Sequence, residues 1–506
     1  MQLNPKTSPK TNPIYSINAS TLPSLVKPVS RFFNSRKIEA YLVGGTVRDA
    51  LLNRKSSDID ISVKGDTKNL GMELASLLGG NCIPLDQSRD IVRVSINGGQ
   101  TGLIDLGPLH VNIQKDLSQR DFTIDAMAIP LTEDFAQDQE IQVIDPFHGL
   151  NDLHSGTVNA LSEYIFENDP VRLLRAPRLS AQLGFKLSIQ TKNWIRKYAN
   201  LVLNSSSERL RDEFLKLITE NSASSSLRLL DNLGLLTLLI PELELTKHVD
   251  QPKEHYWDVF NHSIETVAQI ELLIQNDSEY NKISPRSEIQ LHMIENYFSE
   301  QVSDGHTRAT MIKLAGLLHD IAKPSTKTIE PSGKIRFLGH HEVGAQLSTQ
   351  ILTRLRFSNR GVDMVSQMVK HHLRPSQMSH GSDLPTPRAI YRFYRDVGEV
   401  AIDTLCLNMA DYLAARGPNL ILNDWDEHCK IIGHIIKESQ KSEIKQHVKL
   451  IDGNEIMKIF SIPSGPQIGV LLKTIQEAQA IGDIDSKEQA LTLIKANLNS
   501  SGGSSA

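Results

Sequence analysis

Two stretches of this 506-residue chain hold residue types that could do chemistry together. The first is SSDIDISV, residues 56–63. Aspartate is a poor strand former, yet Asp58 and Asp60 sit in a β-type run. Residues two apart in a strand share a face, so both carboxylates project side by side and raise each other's pKa. A lone Asp-x-Asp is more often a solvated edge strand, so the surroundings decide. Just upstream lies GGTVRD, residues 44–49. Gly44 and Gly45 let the backbone approach a phosphate, amides opening a helix favour anions, and Arg48 could add a charge-assisted bond. Asp105, in the strand-like GLIDLG, is the best third carboxylate, against the reading of a plain strand-end aspartate. Hard oxygen ligands beside substrate phosphates suit Mg²⁺. Two such ions would serve an attacking hydroxyl and a triphosphate leaving group.

The second stretch is a run of histidines: ten of the 17 lie between His255 and His380. His262, then adjacent His319 and Asp320, then His340, His372 and Asp411 form an ordered set. His341 and His371 are rivals by one position. Imidazole and carboxylate together bind divalent transition metals and can activate water. A lone His-Asp dipeptide carries no weight; the ordered set is moderately specific, against a degenerate domain kept for packing.

The elements that must position these groups follow from periodicity. Residues 39–64 read as strand, Gly-Gly turn, short helix, strand. Residues 91–96, 102–106 and 143–145 read as further short strands. After about residue 150, apolar spacings of three and four dominate, which signals helices. The fold class is therefore α+β: an α/β head with a small mixed sheet, then an elongated all-α body. Pro177 falls inside an expected helix, where it should kink or break it. The length suggests several domains. Three cysteines at unrelated spacings fit neither a zinc site nor a disulfide framework, which suits a reducing cytoplasm. No apolar run approaches the roughly 20 residues of a membrane span. The first 38 residues carry six basic and no acidic residues and are expected to be a disordered leader rather than a transit peptide. The net charge of −5 argues weakly against nucleic acid, but Arg172 to Lys216 holds ten Lys/Arg against three Asp/Glu. Such a cationic segment reads equally as a phosphate-binding stripe or a solvated helix face.

YLVGGTVRDALLNRKSSDIDISV, DLSQRDFTIDAMAI, NDPVRLLRAPRLSAQLGF and ERLRDEFLKLI occur in an order that resembles the class II tRNA nucleotidyltransferases. This is the CCA-adding enzyme/poly(A) polymerase group. The likeness extends into IDGNEIMKIFSIPSGPQIGV and covers roughly residues 38–495. The His/Asp order resembles the HD phosphohydrolases, so the chain looks like the bacterial form with an HD domain. The resemblance implies a nucleotidyltransferase head at 39–149 after an extension at 1–38. It implies a helical neck and body at 150–245, an HD domain at 246–440, a tRNA-binding tail at 441–498 and a flexible terminus at 499–506. It implies two Mg²⁺ on Asp58, Asp60 and Asp105, and Gly44, Gly45, Arg48, Arg120 and Asp121 near the nucleotide. The HD site would hold a divalent transition metal on His262, His319, Asp320 and Asp411, with His340 and His372 as further ligands. The sequence departs from the family at Asp125, usually Asn, at Gln119, often Arg, and at Asn168, usually acidic.

Asp169 and Arg172 stand three apart at a helix start, with Pro170 suited to its first turn. Cytosine and adenine each show an amine donor beside a ring-nitrogen acceptor; uracil and guanine do not. A carboxylate accepts and a guanidinium donates, so the pair suits C and A. Without the resemblance, a helix cap or ion pair would be the ordinary reading. Arg175 and Arg178 extend the basic segment toward the nucleotide, and Arg209 and Arg211 toward RNA phosphate. The expected activity is template-independent addition of CMP and AMP from CTP and ATP to tRNA 3′ ends, with pyrophosphate released. The tRNA would be held by its acceptor/TΨC arm. HD hydrolysis of 2′,3′-cyclic or terminal phosphates on damaged tRNA would accompany it. A poly(A) polymerase, a CC-only or A-only enzyme, and an HD hydrolase with a non-catalytic RNA-binding head are the alternatives. Monomer and homodimer stay open.

Overall fold

The computed structural model describes residues 15–55, 58–96, 102–131, 140–275, 296–379, 383–443 and 449–501. The chain divides into two compact units: Met1–Glu213 with Asn232–Leu235, and Phe214–Asp231 with Leu236–Ala506. The segment expected as one neck and body, 150–245, is thus shared between them.

The first unit is built on a six-stranded sheet. Its strands are β2 (Ala40–Val43), β3 (Asp58–Val63), β4 (Gly80–Asp86), β5 (Ile91–Ile96), β6 (Gly102–Pro108) and β7 (Ala128–Pro130), in the order β4-β5-β6-β3-β2-β7. Only β3 and β6 run parallel; the other neighbours are antiparallel, so the sheet is mixed. Alternation sets its faces. Ile59, Ile61 and Val63 are buried at 2% or less, which leaves Asp58 and Asp60 together on the other face. Helix α2 (Gly45–Leu51) connects β2 to β3, and α3 (Thr67–Leu78) lies between β3 and β4.

The segment before residue 38 corrects the expectation of a disordered leader. Residues 1–14 lie outside the described residues. From there, β1 (Tyr15–Asn18) pairs antiparallel with β8 (Glu140–Val143), and α1 (Val26–Ser35) buries Val26, Val29, Phe32 and Phe33. Apolar residues at this spacing form one helix face, and burying them outweighs the segment's basic composition. The strand expected at 143–145 ends at Val143 and pairs with β1; Ile144 makes a single bridge to Ala128. Pro177 does not break its helix, which runs from Arg172 to Leu183.

The second unit is mainly helical. Helices Val259–Ile274, Arg308–Leu318, His340–Arg354, Asn359–His371 and Ala401–Arg416 build its centre. A short hairpin, Lys327–Ile329 with Ile335–Phe337, interrupts them. Three helices near the end, Gly453–Phe460, Pro466–Ala480 and Lys487–Ser501, share a core of Ile456, Leu471, Ile475 and Ile494. The last of them extends past residue 498, so Asn499–Ser501 belong to a helix rather than to a flexible terminus. Among the described residues, no helix is long and apolar enough to cross a membrane.

Candidate active site and candidate metal centre

The carboxylate site forms where β2 turns into α2. Gly44 has φ +68°, and a Cβ there would lie 2.9 Å from an Arg120 nitrogen and 3.3 Å from Asp60 Oδ2. Only glycine fits both the backbone and the space. Thr46 secures the neighbouring strand: its hydroxyl donates to the Asp58 carbonyl at 3.1 Å and accepts from the Asp60 amide at 3.0 Å. Asp60 pairs in register with Asp105 on β6, so all three aspartates fall in one small patch of sheet. Burial pushes the Asp60 carboxyl up to about 6; Arg120 pulls the other way, while Asp105, Asp125 and Asp58 add to the push. Excess negative charge of this kind is what a cation relieves, and hard carboxylate oxygens fit Mg²⁺. Asp105 is not bare: Arg93 on β5 grips it with two bonds, at 2.8 and 2.7 Å. Arg93 carried no signal in the sequence, because only sheet pairing brings it opposite Asp105.

Arg48 departs from expectation. Its side chain is buried and bonds Asp49 at 2.8 Å and Asp125 at 2.6 Å. The guanidinium is committed to the interior rather than offered to a phosphate. Asp125, where the family usually has Asn, is its counter-charge. Arg120 sits at the site edge, bonded to Asp116 at 3.2 Å and Ser62 at 3.3 Å.

Residues 121–213 build a second wall in the same unit. Asp121 accepts from Arg175 at 2.8 Å; burial opposes its charge, but Arg175 and Arg172 outweigh it and hold its pKa low. Buried Glu213 takes both Arg175 at 3.3 Å and Arg178 at 2.5 Å. These two arginines are therefore held by the protein, and Glu213 is the partner that sequence reading missed. Asp169 accepts from Arg209 at 2.8 Å, which places Arg209 beside the expected base-reading pair rather than apart from it. Arg211 bonds its neighbour Asp212. The Arg172 amide donates to the Asp169 carbonyl at 3.1 Å, but the two side chains do not bond each other. Instead Asp169 Oδ1 and Arg172 Nε are buried without a hydrogen-bond partner. One is an acceptor and the other a donor, and buried groups of this kind are matched by ordered water or by a ligand.

In the second unit, five helices bring the histidines and aspartates to one point. His262 comes from Val259–Ile274, and His319 and Asp320 follow Arg308–Leu318. His340 opens its helix, His372 closes another, and Asp411 lies in Ala401–Arg416. His262 Nε2 lies 2.9 Å from Asp411 and 3.3 Å from Asp320. His319 Nε2 lies 3.1 Å from Asp320 and 3.2 Å from His262 Nε2. His340 and His372 reach Asp320 Oδ1 at 3.3 and 3.9 Å. His341 and His371 stay outside these clusters.

Three of the four rings are aimed from behind, while His262 Nδ1 has no hydrogen-bond partner. The Nδ1 of His319, His340 and His372 meets a carbonyl, of Gly316, Phe337 and Val369, at 2.7–2.8 Å. That leaves Nε2 facing inward, and those of His340 and His372 have no hydrogen-bond partner. Backing of this kind orients metal-ligating histidines, so the donor set fits a divalent transition metal. Burial opposes charge on His319, yet Asp320 and Asp411 push its pKa up to about 10. Lys323 adds a cation, bonded to Asp320 and Gln251, both at 2.6 Å. Its place three residues after Asp320 was the available signal.

Comparison with known proteins places the chain in a family. The model "Poly A polymerase head domain" matches residues 40–106 and 91–159, "Probable RNA and SrmB-binding site of polymerase A" matches 184–246, and "HD domain" matches 259–416. The A-adding tRNA nucleotidyltransferase of Deinococcus radiodurans is 30% identical over 90% of this chain and 95% of its own. The CC-adding tRNA nucleotidyltransferase of Thermus thermophilus is 29% identical, covering 89% and 92%. The fold also matches the Thermotoga maritima CCA-adding enzyme complexed with tRNA, with a TM-score of 0.57, 21% identity, and 94% and 95% covered. With head, RNA-binding and HD models matched in order and a full-length relative at this identity, the chain belongs to the tRNA nucleotidyltransferases of the CCA-adding enzyme/poly(A) polymerase group, and it is an enzyme.

Proposed function

We propose that the first unit adds CMP and AMP, from CTP and ATP, to the 3′ end of tRNA without a template. The observation that carries this reading is the buried, unmatched pair of Asp169 Oδ1 and Arg172 Nε. A carboxylate acceptor and a guanidinium donor together suit the Watson–Crick edges of C and A and mismatch those of U and G. Asp58, Asp60 and Asp105 would hold two Mg²⁺, which when bound ease ionisation of the attacking hydroxyl and charge build-up on the leaving group. The tRNA 3′-oxygen bonds to the α-phosphorus, and the bond to the β-phosphate bridging oxygen breaks, releasing pyrophosphate. Gly44 leaves room for the phosphates against the sheet, and Arg120 lies where it can pair with them. Arg93 keeps Asp105 oriented.

In the second unit, His262, His319, Asp320 and Asp411, with His340 and His372, would hold a divalent transition metal, which when bound supplies activated water. The reading is hydrolysis of phosphate esters at tRNA ends. For the head, one observation favours a second reading: the two relatives cited are named as A-adding and CC-adding tRNA nucleotidyltransferases, which fits a chain that supplies one part of CCA. Asp60→Ala tests the polymerase assignment. It should lower nucleotide addition by about a thousandfold or more and leave phosphatase activity intact. Retained addition would contradict the assignment.

A further inference from the structure

The loop that leads into helix Val259–Ile274 carries three rings in a row, His255, Tyr256 and Trp257. We propose that this loop is a nucleobase subsite of the histidine/aspartate centre, with Tyr256 as the platform on which the base of a phosphate-bearing nucleotide stacks.

Three observations support it. First, the loop is tied to the centre itself. The His255 ring stands edge-to-face against the His262 ring, with centroids 5.3 Å apart. Gln251 accepts from Lys323 at 2.6 Å, and Lys323 also bonds Asp320 at 2.6 Å. The nitrogen of the same Gln251 amide donates to the Trp257 carbonyl at 3.1 Å. The loop is therefore fixed in place relative to two of the groups that would hold the metal. Second, it stands on the side where the centre opens. The side chains of His262, His319, Asp320, His340 and His372 are 8% exposed or less, whereas that of Asp411 is 16% exposed. The Tyr256 amide donates to the Ala415 carbonyl at 2.8 Å. Ala415 lies one turn beyond Asp411 on the same helix, and residues four apart share a face. Arg416 adds a bond to the Glu254 carbonyl at 3.0 Å. Third, the rings suit a base rather than a core. Tyr256 is 51% exposed, yet it is held edge-to-face against Trp257 with centroids 4.8 Å apart. The Trp257 Nε1 and His255 Nδ1 atoms are buried without a hydrogen-bond partner, which leaves them to ordered water or to a bound nucleotide.

The backbone beyond the Asp411 helix closes on the same rings. Gly417 has φ +49°, and a Cβ there would lie 3.3 Å from the Tyr256 Cβ and 3.4 Å from Trp257 Nε1. An exposed ring held this firmly is a stacking surface, and stacking tolerates any base because every base has a π-face. The subsite thus names the substrate class: a nucleotide or an RNA end bearing a phosphate, whichever base it carries, in preference to a phosphate ester with no base.

The inference rests on the hydrolase reading above, and the test separates the two. Full-length protein with Ni²⁺ would be assayed on 2′,3′-cyclic AMP and on glycerol 1,2-cyclic phosphate, which has the same cyclic phosphodiester and no base. Tyr256→Ala should raise KM for cyclic AMP about tenfold, with the KM for the glycerol compound unmoved. Tyr256→Phe keeps the ring and should restore the parent KM. Calorimetry should give the same Ni²⁺ affinity for Tyr256→Ala as for the parent. An unchanged KM for cyclic AMP, an equal rise for both compounds, or a weakened hold on Ni²⁺ would overturn the inference while leaving the hydrolase reading intact. A parent protein that hydrolyses neither compound with Ni²⁺, Mn²⁺ or Co²⁺ would overturn both.

Discussion

At the scale of single residues, the account turns on groups that are buried, charged and incompletely matched. Asp169 and Arg172 form the sharpest case. If they read the base edge, removing either one weakens rejection of U and G more than acceptance of C and A. Asp169→Asn and Arg172→Leu should each narrow the preference for CTP over UTP by about 1–3 kcal/mol, read as the ratio of kcat/KM values in competition. An unchanged ratio with lowered overall activity would assign them to structure. His319 makes a second prediction. With its pKa pushed up to about 10, it carries a proton at pH 7. A metal taking His319 as a ligand must displace that proton. Binding of Mn²⁺ or Ni²⁺ at pH 7 should therefore release about one proton per ion at this site, seen as a dependence of the calorimetric heat on buffer ionisation enthalpy. Asp320→Ala should abolish the effect.

At the scale of elements, much of the catalytic architecture was legible, because local rules set it. The strand–turn–helix–strand of residues 40–63 follows from alternation and from a glycine pair that only one backbone shape can use. The His/Asp set was legible as an ordered pattern on helices. What was not legible depends on distant pairing. Nothing near Arg48 in the sequence announces Asp125, 77 residues on, and nothing near Arg175 and Arg178 announces Glu213. The cationic segment therefore reads as a phosphate stripe until the fold supplies its carboxylates. The start of the chain was misread for another reason: its charge drew attention from Val26, Val29, Phe32 and Phe33, whose spacing already marks a helix face. That helix belongs to the head's core. Phe33, fully buried, should cost about 3–5 kcal/mol when changed to alanine, measured by chemical denaturation. A loss below about 1 kcal/mol would return α1 to the status of an appendage.

At the scale of the whole molecule, the chain carries two clusters of chemically capable side chains in two units. The carboxylate site lies within the first, and the histidine cluster within the second. Among the described residues, neither set includes a group from the other unit, so damage to one should spare the chemistry of the other. The family membership fixes the reaction class, and the relatives leave open how many of the three terminal nucleotides this chain adds. The most direct measurement is nucleotide addition by the purified protein with Mg²⁺. It would use three tRNA transcripts, lacking CCA, ending in C and ending in CC, each with CTP, ATP or both. The account predicts that all three are completed to CCA and that UTP and GTP are refused. Addition of A alone, or of CC alone, would make the chain one half of a pair. Addition to none of them would contradict the central claim.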